Sequence, residues 1–178
     1  MRKILTLILI TIVTAALVYV LARFVRMDSF SFAWALNFLL MMGALSFTET
    51  LKSDLSSSYY NAKQWERGGK VYEQLGINFY RKLLVIIGWE KLNKKNNPVA
   101  KGTQTLINLH HQTKKAELGH LIILFIVTGF NVFVALKFGF VKSLSLLILN
   151  VLFNLYPIFL QRYNRPRIAR AISLSKRR

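Results

Sequence analysis

Residues 118–160 read LGHLIILFIVTGFNVFVALKFGFVKSLSLLILNVLFNLYPIFL, and this stretch decides the fold. It contains two uncharged runs, 118–136 and 143–160, each close to the ~20 residues that a helix needs to cross about 30 Å of hydrocarbon. Only residues 137–142 separate the two runs. We therefore predict two membrane-spanning helices that form an antiparallel pair.

Two further apolar runs lie near the N-terminus, at 4–22 and 30–47. The first follows Arg2 and Lys3, so a cleaved signal peptide is an alternative interpretation. The apolar region of a signal peptide has about 7–15 residues, however, and this run is longer, which favours an uncleaved anchor. We predict an all-α membrane protein with about four transmembrane helices, forming a single membrane domain over residues 1–178.

The chain is strongly basic, with 25 Lys and Arg against 7 Asp and Glu and a formal charge of +18. Such an excess implies an anionic partner. Because the apolar runs place the chain in a bilayer, we expect membrane lipid headgroups rather than nucleic acid. The sequence has no cysteine, which excludes disulfides, thiolate nucleophiles and Cys-ligated metal sites.

The positive charges also predict an orientation, because Lys and Arg resist translocation. If the N-terminus lies inside, the outer loops hold only Arg23, Arg26, Lys137 and Lys142, and every other Lys and Arg is cytoplasmic. We therefore expect the N- and C-termini and the loop 48–117 on the cytoplasmic side of the cell membrane.

The cytoplasmic loop 48–117 contains an amphipathic middle at 65–89. Apolar residues recur there at three- and four-residue steps, which predicts a one-sided helix lying in the headgroup layer. A linker of turn-forming and charged residues with Pro98 follows at 93–102. A second helix is predicted to begin near Thr103 and run unbroken into the third span. The apolar stripe of the amphipathic segment is Tyr72, Leu75, Phe79, Leu83 and Ile86.

Glu117 and His120 lie three positions apart where this loop enters the third span, so they share one face of a helix. An ionisable residue in a membrane is costly and by default marks a site, and a carboxylate can hold an imidazole in the tautomer that a general base needs. His110 lies seven positions before Glu117, near the same face. The alternative is that His120 lies at interface depth and only hydrogen-bonds a neighbouring helix.

Glu-x-x-His also occurs in di-iron helical bundles, but those need the pair twice together with further carboxylates. This chain has one such pair, so we expect no metal site. It also lacks a Walker A loop, a G-x-G-x-x-G motif and a G-x-S-x-G elbow, which argues against soluble-type nucleotide and hydrolase chemistry.

A second dense cluster, Q-R-Y-N-R-P-R at 161–167, follows the fourth span. Arginine forks bind phosphate bidentately, although Arg and Tyr also anchor cytoplasmic helix ends. Asn154 and Pro157, within the preceding span, are predicted to bend the helix and free backbone carbonyls. The candidate binding residues of this region are Asn154, Gln161, Arg162, Asn164, Arg165 and Arg167.

Three blocks resemble the glycosyl-4,4'-diaponeurosporenoate acyltransferases, a membrane family that attaches a fatty acyl chain to the sugar of a glycosylated carotenoid. They are T-K-K-A-E-L-G-H at 113–120, the Q-R-Y-N-R-P-R block with Asn154 and Pro157, and a looser match that runs from Trp65 through Lys70 to Ile77. The sequence departs from the family pattern at Leu121, where the family favours an aromatic residue, and it does not clearly keep the tryptophan-lysine pair after the amphipathic segment.

The resemblance implies an acyltransferase that moves a fatty acyl group to a sugar hydroxyl of a glycosylated carotenoid or glycolipid. We expect acyl-CoA as the acyl donor and no cofactor. His120 would act as the base and Glu117 would orient it. The arginines would bind donor phosphates or the oxyanion, with Lys70 and His110 as further substrate-binding candidates.

Two other functions remain open. One is a non-catalytic lipid-binding or assembly protein whose arginines hold anionic headgroups. The other is a different lipid-modifying enzyme, such as a methyltransferase, which would depend on its own donor.

Overall fold

The computed structural model describes residues 1–88 and 102–177, and every regular element within them is a helix. Within these residues, four helical stretches are long and apolar enough to cross a membrane, which confirms the predicted all-α membrane fold. The α-helices of the described part are α1 (Arg2–Phe24), α2 (Phe30–Leu51), α3 (Lys70–Gln74), α4 (Ile77–Ile86), α5 (Thr103–Phe138), α6 (Phe140–Asn150) and α7 (Tyr156–Ser175).

The chain divides into two compact units. The bundle unit comprises Met1–Ser53 and Leu118–Pro157, and the loop unit comprises Asp54–Glu117 and Ile158–Arg178. Helix α5 begins at Thr103 and continues without a break to Phe138, as the sequence predicted.

The bundle unit is held together by an apolar core between α2, α5 and α6. Phe32, Leu36 and Leu40 lie at four-residue steps on α2 and pack with Val127 and Leu146. None of the residues of α1 is buried, as expected for a helix that is apolar all round and faces lipid.

Polar groups fix the ends of these helices. The Ser29 hydroxyl accepts a hydrogen bond from the Phe32 N–H and caps α2. Asp28, between α1 and α2, forms ion pairs with Arg26 and with Lys142 near the start of α6. These contacts join the two helix connections within the bundle unit.

The loop unit has a smaller core rich in tyrosine. Tyr72, Ile77, Tyr80 and Tyr163 are buried, and the ring centroids of Tyr72 and Phe159 lie 5.4 Å apart. Burial raises the pKa of Tyr80 to about 12, so its phenol stays neutral at physiological pH.

The prediction of one continuous amphipathic helix over 65–89 is wrong. The segment consists of a 3₁₀ turn at Gln64–Gly69 followed by α3 and α4, with breaks at Gly69 and Gly76, whose φ angles are 100° and 83°. Glycine adopts this left-handed conformation at little cost, and a helix cannot continue through it. Trp89 and the linker residue Pro98 lie outside the described residues.

The predicted apolar stripe is also divided. Tyr72 is buried, whereas Leu75, Phe79 and Ile86 are exposed. Ile77 and Tyr80 supply the buried face of α4 instead. The break at Gly76 changes the rotation of α4 about its axis relative to α3. A helical period counted across the break therefore does not predict which residues are buried.

The helix of the fourth span is irregular around Asn154 and Pro157, the residues predicted to bend it, and the bend itself stays a prediction. A π turn at Val151–Leu155 separates α6 from α7, and the Tyr156 N–H bonds the Val151 carbonyl, five residues back. Pro157 has no N–H to offer the carbonyl of Phe153, four residues earlier, so the α-helical hydrogen bond at this point is lost.

Candidate active site

The loop unit buries a carboxylate on α5 among two arginines of α7. The Glu117 side chain is fully buried, and its Oε1 accepts from Arg162 Nε at 2.7 Å and from the Tyr59 hydroxyl at 2.9 Å. Its Oε2 accepts from Arg165 Nη2. The sequence predicted both Glu117 and the arginines as site residues, and the structure brings them into direct contact.

Arg162 connects this carboxylate to a second one. Its Nη1 donates to Glu66 Oε1 at 2.7 Å, and its Nη2 donates to the Tyr59 carbonyl at 3.0 Å. Glu66 also accepts from the Tyr72 hydroxyl at 2.7 Å and from the Lys63 backbone N–H at 2.8 Å. All three nitrogens of the Arg162 guanidinium are therefore bonded within the protein.

Arg165 is bonded in the same way. Its Nε donates to the Thr113 hydroxyl at 3.2 Å, and its Nη1 donates to the Tyr60 carbonyl at 3.1 Å. Arg162 and Arg165 are each less than a tenth exposed, and Glu66 and Glu117 balance their charges. We call these four residues the ion-pair network; it ties residues 59–66 to α5 and α7 within the loop unit.

The protonation states of the groups around this network follow from their surroundings. Burial alone would raise the pKa of Glu66, but hydrogen bonds from Arg162, the Lys63 N–H and Tyr72 outweigh burial and hold that pKa below its ordinary value. Burial and the Glu66 carboxylate raise the pKa of Tyr72, and burial raises that of Tyr59. At neutral pH, Glu66 is thus ionised and both phenols are hydrogen-bond donors.

Arg167 and Lys70 are the predicted cationic residues that remain exposed. The Arg167 guanidinium stacks on the Tyr163 ring at 3.5 Å and donates to the Tyr163 carbonyl and to Glu73. Gly69, directly before Lys70, lies against this guanidinium. A Cβ there would come within 2.9 Å of Arg167 Nη1 and 3.3 Å of the Tyr163 carbonyl.

His120 lies in the bundle unit beside the side chain of Asn154. The Asn154 side chain and the Phe153 backbone are the polar groups that act on its imidazole. Its Nδ1 is buried and has no hydrogen-bond partner among the described residues. Leaving a buried acceptor unsatisfied typically costs about 1–3 kcal/mol, so this atom requires an explanation.

Asn154 belongs to a larger amide cluster. Its Nδ2 donates to Asn37 Oδ1 at 2.8 Å and to Asn150 Oδ1 at 2.9 Å. All three asparagines are buried. We call Asn37, Asn150 and Asn154 the asparagine cluster. It brings polar groups of α2, α6 and the π turn together, and Asn154 is the member that lies beside His120.

The remaining predicted residues are less enclosed. Gln161 and Asn164 are half-buried on α7. His110 is half-buried on α5 near the charges of Lys114 and Arg165. Among the described residues, no group of three or more His, Asp or Glu side chains is arranged to hold a metal ion.

The hydrogen bonds of Glu117 and His120 go to different groups, although the two residues lie on one helix. Glu117 bonds arginines and a tyrosine, whereas His120 has Asn154 and Phe153 beside it. Sequence reasoning did not identify Glu66, Tyr59 or Thr113 as site residues, although Glu66 and Thr113 stand inside the blocks that carried the resemblance.

The fold and this site define the class of protein: a polytopic all-α membrane protein with a histidine that lies beside an asparagine side chain and has a buried Nδ1. The glycosyl-4,4'-diaponeurosporenoate acyltransferase model matches residues 56–174, about two thirds of the chain, and the protein belongs to that acyltransferase family of carotenoid biosynthesis. No curated protein and no solved structure matches the chain.

Proposed function

We propose that this protein transfers a fatty acyl group from acyl-CoA to a sugar hydroxyl of a glycosylated carotenoid or a related glycolipid. The observation that carries the proposal is the family match over residues 56–174. The buried Nδ1 of His120, which has no partner in the described part of the chain, supports it, because an acyl transfer to a hydroxyl needs a base that is free to accept a proton.

In the proposed reaction, the imidazole of His120 takes the proton of the acceptor hydroxyl as its oxygen attacks the thioester carbonyl carbon. The new C–O bond gives a tetrahedral oxyanion, whose collapse breaks the C–S bond. The departing thiolate takes the proton back from the imidazolium, so the products are an ester and free CoA, and His120 is regenerated. A base of this kind typically contributes about 10² to 10⁴ in rate.

The arginines divide into two roles in this proposal. Arg162 and Arg165 are bonded to protein groups through their guanidinium nitrogens, so they position residues 59–66 together with Glu117. Arg167 and Lys70 are exposed and would bind the donor phosphates. Gln161, Asn164 and His110 remain predicted substrate-binding residues.

We also propose the orientation that the positive charges favour. Both termini and the loop unit would lie on the cytoplasmic side of the cell membrane, where acyl-CoA is present. The exposed apolar residues of α4, including Phe79 and Ile86, would then lie in the headgroup layer of the inner leaflet.

The test is a product assay with the purified full-length protein in lipid nanodiscs, given acyl-CoA and a glycosylated carotenoid. The proposal expects a product heavier than the acceptor by one acyl group, as measured by mass spectrometry. An Arg167→Ala variant should raise the KM for acyl-CoA about tenfold, whereas Arg170→Ala, an exposed arginine on the same helix, should leave it unchanged.

Two results would overturn the proposal. Binding of vesicles rich in anionic lipid without any acylated product would indicate a lipid-binding or assembly protein. A product that carries another group, formed only with that group's own donor, would indicate a different lipid-modifying enzyme.

A further inference from the structure

The orientation of the Asn154 amide is fixed by its two neighbours in the asparagine cluster. Asn37 Nδ2 donates to the Ala33 carbonyl at 2.8 Å, which leaves Asn37 Oδ1 facing Asn154. Asn150 Nδ2 donates to the Leu124 carbonyl and to the Thr128 hydroxyl, both at 3.1 Å, which leaves Asn150 Oδ1 facing Asn154.

Asn154 must therefore present its NH₂ group to both neighbours. If its amide were reversed, its own oxygen would lie against two other amide oxygens. Both amide hydrogens are used, so the Oδ1 of Asn154 is the atom left for His120. This oxygen can only accept a hydrogen bond.

The π turn supplies a second acceptor. Pro157 lacks the N–H that would bond the Phe153 carbonyl in an α-helix, and this carbonyl is the backbone group that acts on His120. His120 thus has two acceptors beside it, and it also has a buried Nδ1 that bonds to none of the residues that the structure describes.

We infer that Asn154 is a positioning residue that, with the Phe153 carbonyl, holds the imidazole proton of His120 on Nε2, so that Nδ1 is the atom that removes the proton from the acceptor hydroxyl. This inference rests on the proposed function for its catalytic meaning. It assigns to Asn154 the orienting role that the sequence suggested for Glu117, whose carboxylate is bonded to Arg162, Arg165 and Tyr59.

Asparagines between spanning helices also act simply as contacts that hold the helices together. In that case, replacing Asn154 would loosen the bundle without changing the histidine tautomer. The experiment must therefore measure the tautomer itself.

The direct test is nuclear magnetic resonance of the full-length protein in lipid nanodiscs, with isotope-labelled histidine. The ¹⁵N and ¹³C shifts of a neutral imidazole distinguish the Nε2–H tautomer from the Nδ1–H tautomer. The His120 signals are assigned as those lost in His120→Gln. The inference expects the Nε2–H tautomer in the wild type, and a predominant Nδ1–H tautomer would overturn it.

A pair of variants separates positioning from packing. Asn154→Leu should mix the tautomers and lower kcat about 10- to 100-fold, a part of what a base contributes, with little change in the KM for acyl-CoA. The control is Asn131→Leu, on the same helix as His120 and about 16 Å further along, whose Nδ2 donates to the Ser143 carbonyl. It should keep both the tautomer and kcat.

The outcomes are distinguishable from those of the product assay. An unchanged tautomer and kcat in Asn154→Leu would overturn the inference and leave the acyl transfer intact. If Asn154→Leu cannot be purified, the tautomer of His120 in the wild type still tests the inference. Absence of acylated product from the wild type would overturn the proposed function, whatever the tautomer.

Discussion

The two units of this protein bury polar groups by opposite means. The bundle unit buries neutral amides in the asparagine cluster, whereas the loop unit buries two carboxylates and two guanidinium groups in the ion-pair network. Full charges are costly in hydrocarbon, and neutral amides satisfy one another there at lower cost. Glu117 and His120 lie three positions apart, yet Glu117 is bonded to charged groups of the loop unit, whereas His120 lies beside a neutral amide of the bundle unit.

The largest effect should come from breaking the ion-pair network. Glu117→Ala removes the carboxylate that Arg162 and Arg165 share and leaves two buried cations with one counter-charge. Loss of one partner from a buried ion pair typically costs about 3–5 kcal/mol. We expect poor folded yield and a much lower thermal midpoint, measured by fluorescence-detected size-exclusion chromatography after heating.

The matched control is Glu73→Ala. Glu73 pairs with Arg167 at 3.0 Å, but both side chains are more than a third exposed. Exposed pairs contribute about 0–1 kcal/mol, so this variant should behave like the wild type. Equal losses of stability in the two variants would show that burial does not determine how much an ion pair of the loop unit contributes to stability.

The next effect concerns backbone strain at Gly69 in the loop unit. Gly69→Ala places a Cβ on a residue with a φ of +100°, against the Tyr163 carbonyl, and the conformation alone costs about 1–2 kcal/mol. Gly129→Ala in helix α5 has open space around the new Cβ and should be neutral or up to about 1 kcal/mol stabilising. If the two variants shifted the thermal midpoint in the same direction, the claim that the backbone conformation at Gly69 disfavours alanine would be wrong.

A smaller loss is expected from the asparagine cluster. Asn37→Leu removes one acceptor of Asn154 and a hydrogen bond to the Ala33 carbonyl. Hydrogen bonds between membrane helices contribute about 0.6 kcal/mol on average and at most about 1.7 kcal/mol. Unfolding in mixed micelles should show a loss of this size. A loss as large as that of Glu117→Ala would remove the contrast between the two units.

The smallest effect is a pH dependence in the loop unit. The pKa of Glu66 is held below its ordinary value of 4.5, so its carboxylate stabilises the fold above about pH 4.5. That contribution is lost as the pH falls through the lower pKa of the folded state. Denaturation midpoints of the wild type should therefore drop between pH 6 and pH 3.5 by more than those of Glu66→Gln. Equal drops would mean that Glu66 does not contribute.

Most of the fold could be predicted from the sequence because hydrocarbon thickness and chain length dictate it. The four apolar stretches and the unbroken course of α5 from Thr103 follow from length and composition. The break at Gly76 could not be predicted, because glycine permits a left-handed turn without requiring one. A helical period counted over 65–89 passes directly through that turn.

The sequence indicated which polar residues belong to the site better than it indicated which residues they bond. Glu117, Arg162 and Asn154 stood out as polar residues at helix ends or within spans. Their partners lie far away in sequence: Arg162 bonds Glu66 at a separation of 96 positions, and Asn154 bonds Asn37 at 117. No local periodicity encodes such tertiary pairs.

The most direct test of this account is the acyl transfer rate of His120→Gln, purified at the same yield as the wild type and assayed with acyl-CoA and a glycosylated carotenoid. The control is His111→Gln, a histidine to which we assign no role in the reaction. We expect the rate of His120→Gln to fall about 10² to 10⁴-fold and that of His111→Gln to stay near the wild type. A His120→Gln protein that acylates as fast as the wild type would contradict the account.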